Sequence, residues 1–488
     1  MPKLLTKSKF LNALQCPRWV WYAVNRPAAI PDYNKKSQYL FSQGNLVGEY
    51  AKQLFPDGIT IPCSDFKESL QLSKQQLQQQ KPLFEAGFIA DGCYSRVDVL
   101  IPVGDKGWDI AEVKSGASVK DIHVMDVAFQ RYCLSKAGLK INRCWLIHVN
   151  NKYVRAERLD IYSLFCRKDI TGKVLNCSRE ISGRISNIKN TIKNEQAPVV
   201  NPGSFCTRPY DCPLISLCWK DMPEENVFQL FADNRKGDEL SGNGILKQEN
   251  IPDDFHLTRL QQIQKKASVE KKPQLRKKAL SDFITLLQFP VYFLDFESYS
   301  SPVPFFKGMK PYDQYPFMYS LKKINNWEAE EENFIFLSAP GRDQRDLFIK
   351  RLVNDIDKQG SIIVYGKDFE LKKLDELAGL FPAYRISLEK IKARFIDLQE
   401  PFRRFDYYHP DQAGNVSMKK IVPALTGHDY RKGIANGYEA SLGFFHIAHV
   451  SKKKDEIATI INRIKTYCCS DTAGMKKLLF LLKDSITF

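Results

Sequence analysis

Between Tyr94 and Tyr132 the apolar positions change period. In RVDVLIP, Val97, Val99 and Ile101 alternate with Arg96, Asp98 and Leu100, the two-residue period of a strand. The turn VGDKG follows. In WDIAEVK the same period sets Glu112 and Lys114 on the face of Trp108 and Ile110, with Val113 on the other. AFQRYCL then continues as an amphipathic helix. The pattern predicts strand, turn, strand and helix. If the strands pair as a hairpin, Asp98 and Glu112 supply hard oxygen ligands for a divalent cation, and Lys114 reaches the water or phosphate beside it. The ordinary alternative is that these are solvated charges on a strand face.

The flanking pattern extends the same module. LTKSKFLNALQCPRWVWY predicts a helix with Ser8 as its N-cap. FSQGNLVGEYAKQLFP predicts an amphipathic helix with Glu49 turned away from Val47, Tyr50 and Leu54. Glu49 and Glu85 are acids without an assigned role. SKQQLQQQKP reads as a polar helix and CWLIHVNNKYVR as a further strand, with His148 a strand residue. ISGRISNIKNTIKNEQAP reads as a basic helix. The Gly-, Asp- and Asn-rich stretch after residue 231 marks a boundary, and LTRLQQIQKKASVEKKPQLRKKAL continues as a basic, helical connector. The expected organisation is therefore a module over 1–230, a connector over 231–285 and a second module over 286–488.

In the second module FPVYFLDFESYS is a buried strand on which Val291, Phe293, Asp295 and Glu297 share one face. Two carboxylates among bulky apolar groups are costly unless a cation neutralises them. Strands PFMYSLKKI and NFIFL, a helix from about Asp343, the strand SIIVYG, a helix through Phe369 and the short strand RFIDLQ follow.

Composition narrows the partners. A chain of 488 residues exceeds what one core usually holds. The excess of 72 Lys and Arg over 56 Asp and Glu gives a formal charge of +16, which suits a polyanion such as nucleic acid. MPKLLTKSKF lacks the apolar run of a signal peptide and no stretch is long and apolar enough to span a bilayer, so a cytoplasmic protein without membrane association is expected. Twelve cysteines then point to buried thiols or a metal site. Cys16 stands alone near the start, and Cys206, Cys212 and Cys218 recur at five-residue separations in FCTRPYDCPLISLCW, unlike the two close pairs usual for structural zinc.

Asp98 with Glu112-x-Lys114 resembles the PD-(D/E)XK nucleases, and Gln130 and Tyr132 resemble the helical Gln and Tyr of their RecB-type subgroup. One early and three late cysteines resemble the iron–sulfur nucleases of CRISPR-associated adaptation proteins and AddB. That resemblance implies a PD-(D/E)XK fold in which Asp98, Glu112 and the Val113 carbonyl hold Mg²⁺ or Mn²⁺. It gives Lys114 the water or phosphate, Gln130 and Tyr132 the positioning of the strand, and Cys16, Cys206, Cys212 and Cys218 a [4Fe-4S] cluster. Zinc, or plain burial, is the alternative for these thiols.

The second module resembles the RNase H-like fold of DEDD exonucleases. Asp295 and Glu297 match their Asp-x-Glu, Glu370 in YGKDFE stands near the second acid, and Glu439 before Ala440 in NGYEASLGFF stands for the late helical acid, which has a His or Tyr upstream as general base. His428 and His446 do not fit that spacing. Asp397 corresponds to a strand-end acid beside the site. Both halves together resemble an uncharacterised bacterial family. The resemblance implies an α/β protein acting as a metal-dependent DNA nuclease with two centres, in phage defence or DNA repair, with a helicase or defence-system partner. RNA as substrate and a non-cleaving nucleic-acid scaffold are the alternatives.

Overall fold

The alternating segments form seven strands of one sheet. β1 (Leu5–Thr6), β2 (Ile59–Thr60), β3 (Leu83–Ala90), β4 (Cys93–Val103), β5 (Gly107–Lys114), β6 (Lys140–Val149) and β7 (Phe165–Asp169) are ordered β2-β3-β4-β5-β6-β7, with β1 beside β4. β4 and β5 pair antiparallel through the expected hairpin. β5 and β6 pair parallel, which requires a crossover, and the helix Asp121–Lys136 provides it. One face of the sheet packs Val97, Leu100, Ile110 and Leu146 against Phe10, Val127 and Phe129. The other packs Phe84, Val99, Ala111 and Ile147 against Val47 and Ala51 of the helix Lys35–Lys52.

Two local expectations change. Val97 and Val99 lie on opposite faces of the sheet instead of sharing one, because the ladder is interrupted between them. Phe84 pairs with Val99 and Ala86 with Val97, while Glu85, at φ 59°, and Asp98 leave the ladder, and both strands invert their alternation there. The first helix, Lys7–Gln15, is capped by Thr6, whose hydroxyl accepts the Lys9 N–H, instead of by Ser8. Cys16 is extended and separates this helix from the next, Pro17–Asn25, where the proline at the first position suits a helix start.

This computed structural model describes residues 4–427, 434, 436–449 and 451–487. It divides into a unit comprising Met1–Lys220 with Ser301–Asp313 and a unit comprising Asp221–Ser300 with Gln314–Phe488. The expected connector over 231–285 is therefore built into the second unit. Its helix Lys277–Ile284 contributes Leu280 and Phe283 to a core with Phe293 and Met475, and β8 (Gln274–Leu275) pairs with β14 (Tyr407–Tyr408). Charged composition concealed these few buried positions.

The second unit carries a five-stranded sheet, ordered β11-β10-β9-β12-β13, from β9 (Val291–Ser300), β10 (Gln314–Ile324), β11 (Glu332–Leu337), β12 (Ser361–Val364) and β13 (Phe395–Asp397). β9 pairs antiparallel with β10 and parallel with β12. Tyr292, Leu294 and Phe296 face the helix Arg345–Asp355, and Val291 and Phe293 face the helix Lys454–Thr487. Asp295 and Glu297 follow the second set. Gly360, at φ 92°, leads into β12 so close to Pro290 that a Cβ there would overlap the proline carbonyl. Among the described residues no helix is long and apolar enough to cross a membrane.

Candidate active sites

In the first unit Glu112 projects from β5 toward the crossover helix and is buried, as are Asp126 and Gln130 on that helix. Asp126 and Gln130 stand one turn apart and so present their side chains together. Lys114 Nζ donates to Glu112 Oε1 at 2.6 Å and to Asp126 Oδ2 at 2.7 Å. Gln130 Nε2 donates to Glu112 Oε2 at 2.7 Å and to Asp126 Oδ1 at 2.9 Å. Asp98 Oδ2 accepts the Val113 N–H at 2.8 Å across the hairpin. The interruption of the ladder at Asp98 frees its side chain for this position.

Two residues of the cluster were not singled out from the sequence. Asp126 is signalled only by its four-residue spacing from Gln130. Lys7, from the start of the first helix, places Nζ 2.9 Å from Glu112, 3.8 Å from Asp98 and 3.9 Å from Asp126. Tyr132 is not brought to the acids, because it lies two residues from Gln130 on the helix and donates to Asp91 at 2.6 Å. Glu49 pairs with Lys52 and Glu85 with Arg96 on the walls of the same cleft, about 840 Å³ in volume.

The electrostatics follow from crowding three carboxylates out of water. Burial and the Glu112 charge push Asp98 up to about 7, and the same causes raise Asp126. Burial acts against Glu112 as well, but Lys114 and Lys7 outweigh it and hold Glu112 well below the usual carboxylate range. Lys114 and Lys7 are raised in turn, since the surrounding acids outweigh their own burial. Burial and the Lys114 charge push His123 down to about 4.

Cys16, Cys206, Cys212 and Cys218 gather around one small hollow with Phe205, Leu214 and Ile215 as apolar walls and Arg18 at its side. Gln15 holds the far cysteine loop to the first helix by donating to the Phe205 and Tyr210 carbonyls at 2.9 and 2.7 Å. Burial pushes Cys212 up to about 12 and raises Cys16 and Cys218, and each thiol is opposed further by its neighbours. Four soft donors in an apolar pocket fit a thiophilic cation or iron cluster, which would take the place of their protons.

In the second unit Asp295, Glu297 and Cys468 offer ligand atoms that all lie within 4.8 Å of one another. Cys468 Sγ approaches Asp295 Oδ2 at 3.7 Å. Asp471 and Tyr467 flank Cys468 on the helix Lys454–Thr487, and Lys419 forms an ion pair with Asp471 while its ammonium lies 4.1 Å from the centroid of the Tyr467 ring. Burial and Asp471 push Asp295 up to about 8, and burial with Asp295 and Asp471 raises Glu297 far above its ordinary value. Glu370, buried on the helix Asp368–Leu380, is raised by burial and by Asp295, and its Oε2 has no hydrogen-bond partner. Asp397 lies at the edge of this group, accepting the Gly366 and Gln399 N–H groups at 2.8 and 2.9 Å.

The charges acting most strongly on Glu297 are those of Asp295, Asp471, Lys419 and Glu370. The acid that this cluster receives from the helix Lys454–Thr487 is Asp471, with Tyr467 one turn before it. Glu439 instead lies in the first turn of the helix Gly437–His449, where its N–H is capped by Asn436. The signal in the sequence was the four-residue step from Tyr467 to Asp471 in YCCSD. His446 pairs with Glu456, and His428 lies outside the described residues.

Residues 292–417 match the profile of a domain of unknown function, DUF2779. No curated protein matches the chain. Three chains of solved structures match, among them one described as "Crystal structure of SSO0001", with 13% identity, coverage of 38% of this chain and 77% of that one, and a TM-score of 0.17.

Proposed function

We propose that the chain is a metal-dependent nuclease that hydrolyses DNA phosphodiesters at two centres, one in each unit, built on a PD-(D/E)XK-like and an RNase H-like arrangement. The observation that carries this reading is the convergence of Asp98, Glu112 and Lys114 on one cleft, with the buried Gln130 donating to Glu112. Asp98, Glu112 and the Val113 carbonyl would hold Mg²⁺ or Mn²⁺. Bound there, such an ion supplies positive charge for activating water and for the leaving oxygen. Gln130 fixes Glu112 Oε2 from the buried side, so that Oε1, which meets Lys114 and Lys7, keeps a defined direction. Lys114 is a strongly held ammonium, which suits it to steadying a phosphate oxygen better than to removing a proton.

In the second centre Asp295, Glu297, Glu370 and Asp471 take the four acid roles, and Tyr467 presents its hydroxyl at the same end. A Cβ on Gly437 would lie 3.7 Å from Glu297 Oε2 and 3.9 Å from that hydroxyl. The four-cysteine site would carry a [4Fe-4S] cluster with a structural role. Twelve free thiols suit a reducing, cytoplasmic setting, and the basic excess suits DNA as partner.

The test is cleavage of labelled single- and double-stranded DNA with Mn²⁺ by the wild type, Lys114→Ala, Asp295→Ala and the double variant. Each single variant is expected to lose part of the activity and the double variant all of it. A wild type that binds DNA but never cuts it, or a double variant that cuts undiminished, overturns the reading.

A further inference from the structure

Lys7 has no place in the local logic of its helix. The N-terminus of a helix is the positive end of its dipole and disfavours a cation, yet a lysine occupies the first helical position after the Thr6 cap. Its ammonium is instead accounted for by tertiary partners. It is the one cation that lies within 4 Å of Asp98, Glu112 and Asp126 together among the described residues. Lys114, by comparison, reaches Glu112 and Asp126. The Lys7 side chain remains about a quarter exposed and lines the cleft, so its flexible stem has an open path out of the acid cluster.

Charge balance gives this position a consequence. Three carboxylates against Lys114 and one divalent ion are neutral, and Lys7 held in the same space adds an uncompensated positive charge beside that ion. We propose that Lys7 is a tethered counter-ion that occupies the cation position of the first centre and is exchanged for the divalent ion, thereby setting the centre's affinity. The inference rests on the reading of Asp98 and Glu112 as cation ligands. In the exchanged state the ammonium stands at the cleft wall, where an anionic substrate enters.

The experiment is a calorimetric Mn²⁺ titration of the full chain in an Asp295→Asn, Glu297→Gln background, which removes carboxylates from the second centre. Lys7→Met and Lys7→Gln are expected to bind Mn²⁺ about tenfold more tightly, and Lys7→Arg to bind it as the parent does. A structural lysine predicts the opposite sign, since its loss would weaken binding. In the wild type, acylation of Lys7 followed by peptide mass spectrometry is expected to rise when Mn²⁺ is added, a readout that needs no variant to fold. Unchanged or weaker binding in the neutral variants, or labelling that does not rise, overturns the inference. Failure of the underlying reading is distinguishable: the parent would then show no Mn²⁺ binding that Asp98→Asn removes.

Discussion

Asp471 lies one helical turn beyond Tyr467, and a single lysine, Lys419, pairs with the carboxylate of one and stands over the ring of the other. On the proposed reading, Asp471 is the late acid of the second centre. Asp471→Asn is expected to lower the activity that survives in a Lys114→Ala protein by about a hundredfold or more. Glu439→Gln is expected to leave it within a factor of two to three. The comparison is made by initial rates on the same labelled DNA, and equal effects of the two substitutions would return Glu439 to the site.

Stability should fall with pH where most proteins are flat. Asp98, pushed up to about 7, and Asp295, pushed up to about 8, keep protons in the folded protein that the unfolded chain releases near pH 4. Their contribution is therefore greatest at low pH and declines as pH rises through the folded values, the reverse of an ordinary ion-paired carboxylate. Glu112, held low, has given its full contribution above its ordinary value and adds no slope there. His123, pushed down to about 4, ceases to act above its ordinary 6.5. Between pH 6.5 and 8 the metal-free protein is expected to lose about 1–2 kcal/mol, modest because a quarter of the Asp98 side chain stays open to water. Thermal melts with chelator check this, and a Tm that climbs over that range would contradict it. Added Mn²⁺ should raise Tm more at pH 8 than at pH 6.5, as protons cease to compete.

The four-cysteine hollow makes a prediction in colour and metal content. Protein purified without oxygen is expected to be brown and to contain iron, and Cys212→Ser to lose both, with a Tm lower by several degrees. Metal analysis that finds zinc and a colourless protein would assign the hollow to a tetrathiolate zinc site.

Cys468 gives the second centre a soft donor among hard ones. Cd²⁺ should therefore bind there with a thiolate-to-metal absorption band and inhibit, and Cys468→Ser should abolish the band while leaving Mg²⁺-supported cleavage within a few-fold. A band that persists in the variant would place the ion elsewhere.

How far these centres could be read from the chain depends on distance along it. Asp98, Glu112 and Lys114 were legible because a hairpin joins them and a two-residue period aims Glu112 and Lys114, while the break in the ladder turns Asp98 toward them. Lys7 pairs with an acid over a hundred positions later, and Asp471 with a strand well over a hundred positions earlier, so neither belongs to any local period. The inversion at Glu85 and Asp98 was hidden for a different reason: β-branched and apolar residues fill both faces of a doubly covered sheet, and alternation then carries no sign of which face is which. Tyr132 was misplaced by the helix itself, since a residue two steps from Gln130 turns away from whatever Gln130 touches.

Gly360 shows where the second centre is vulnerable. A side chain there would meet the Pro290 carbonyl at the entry to β9, and β12 leads directly into the helix that carries Glu370 while β9 carries Asp295 and Glu297. A hydrogen atom in place of a side chain thus permits the close pairing on which the framework of these acids is built.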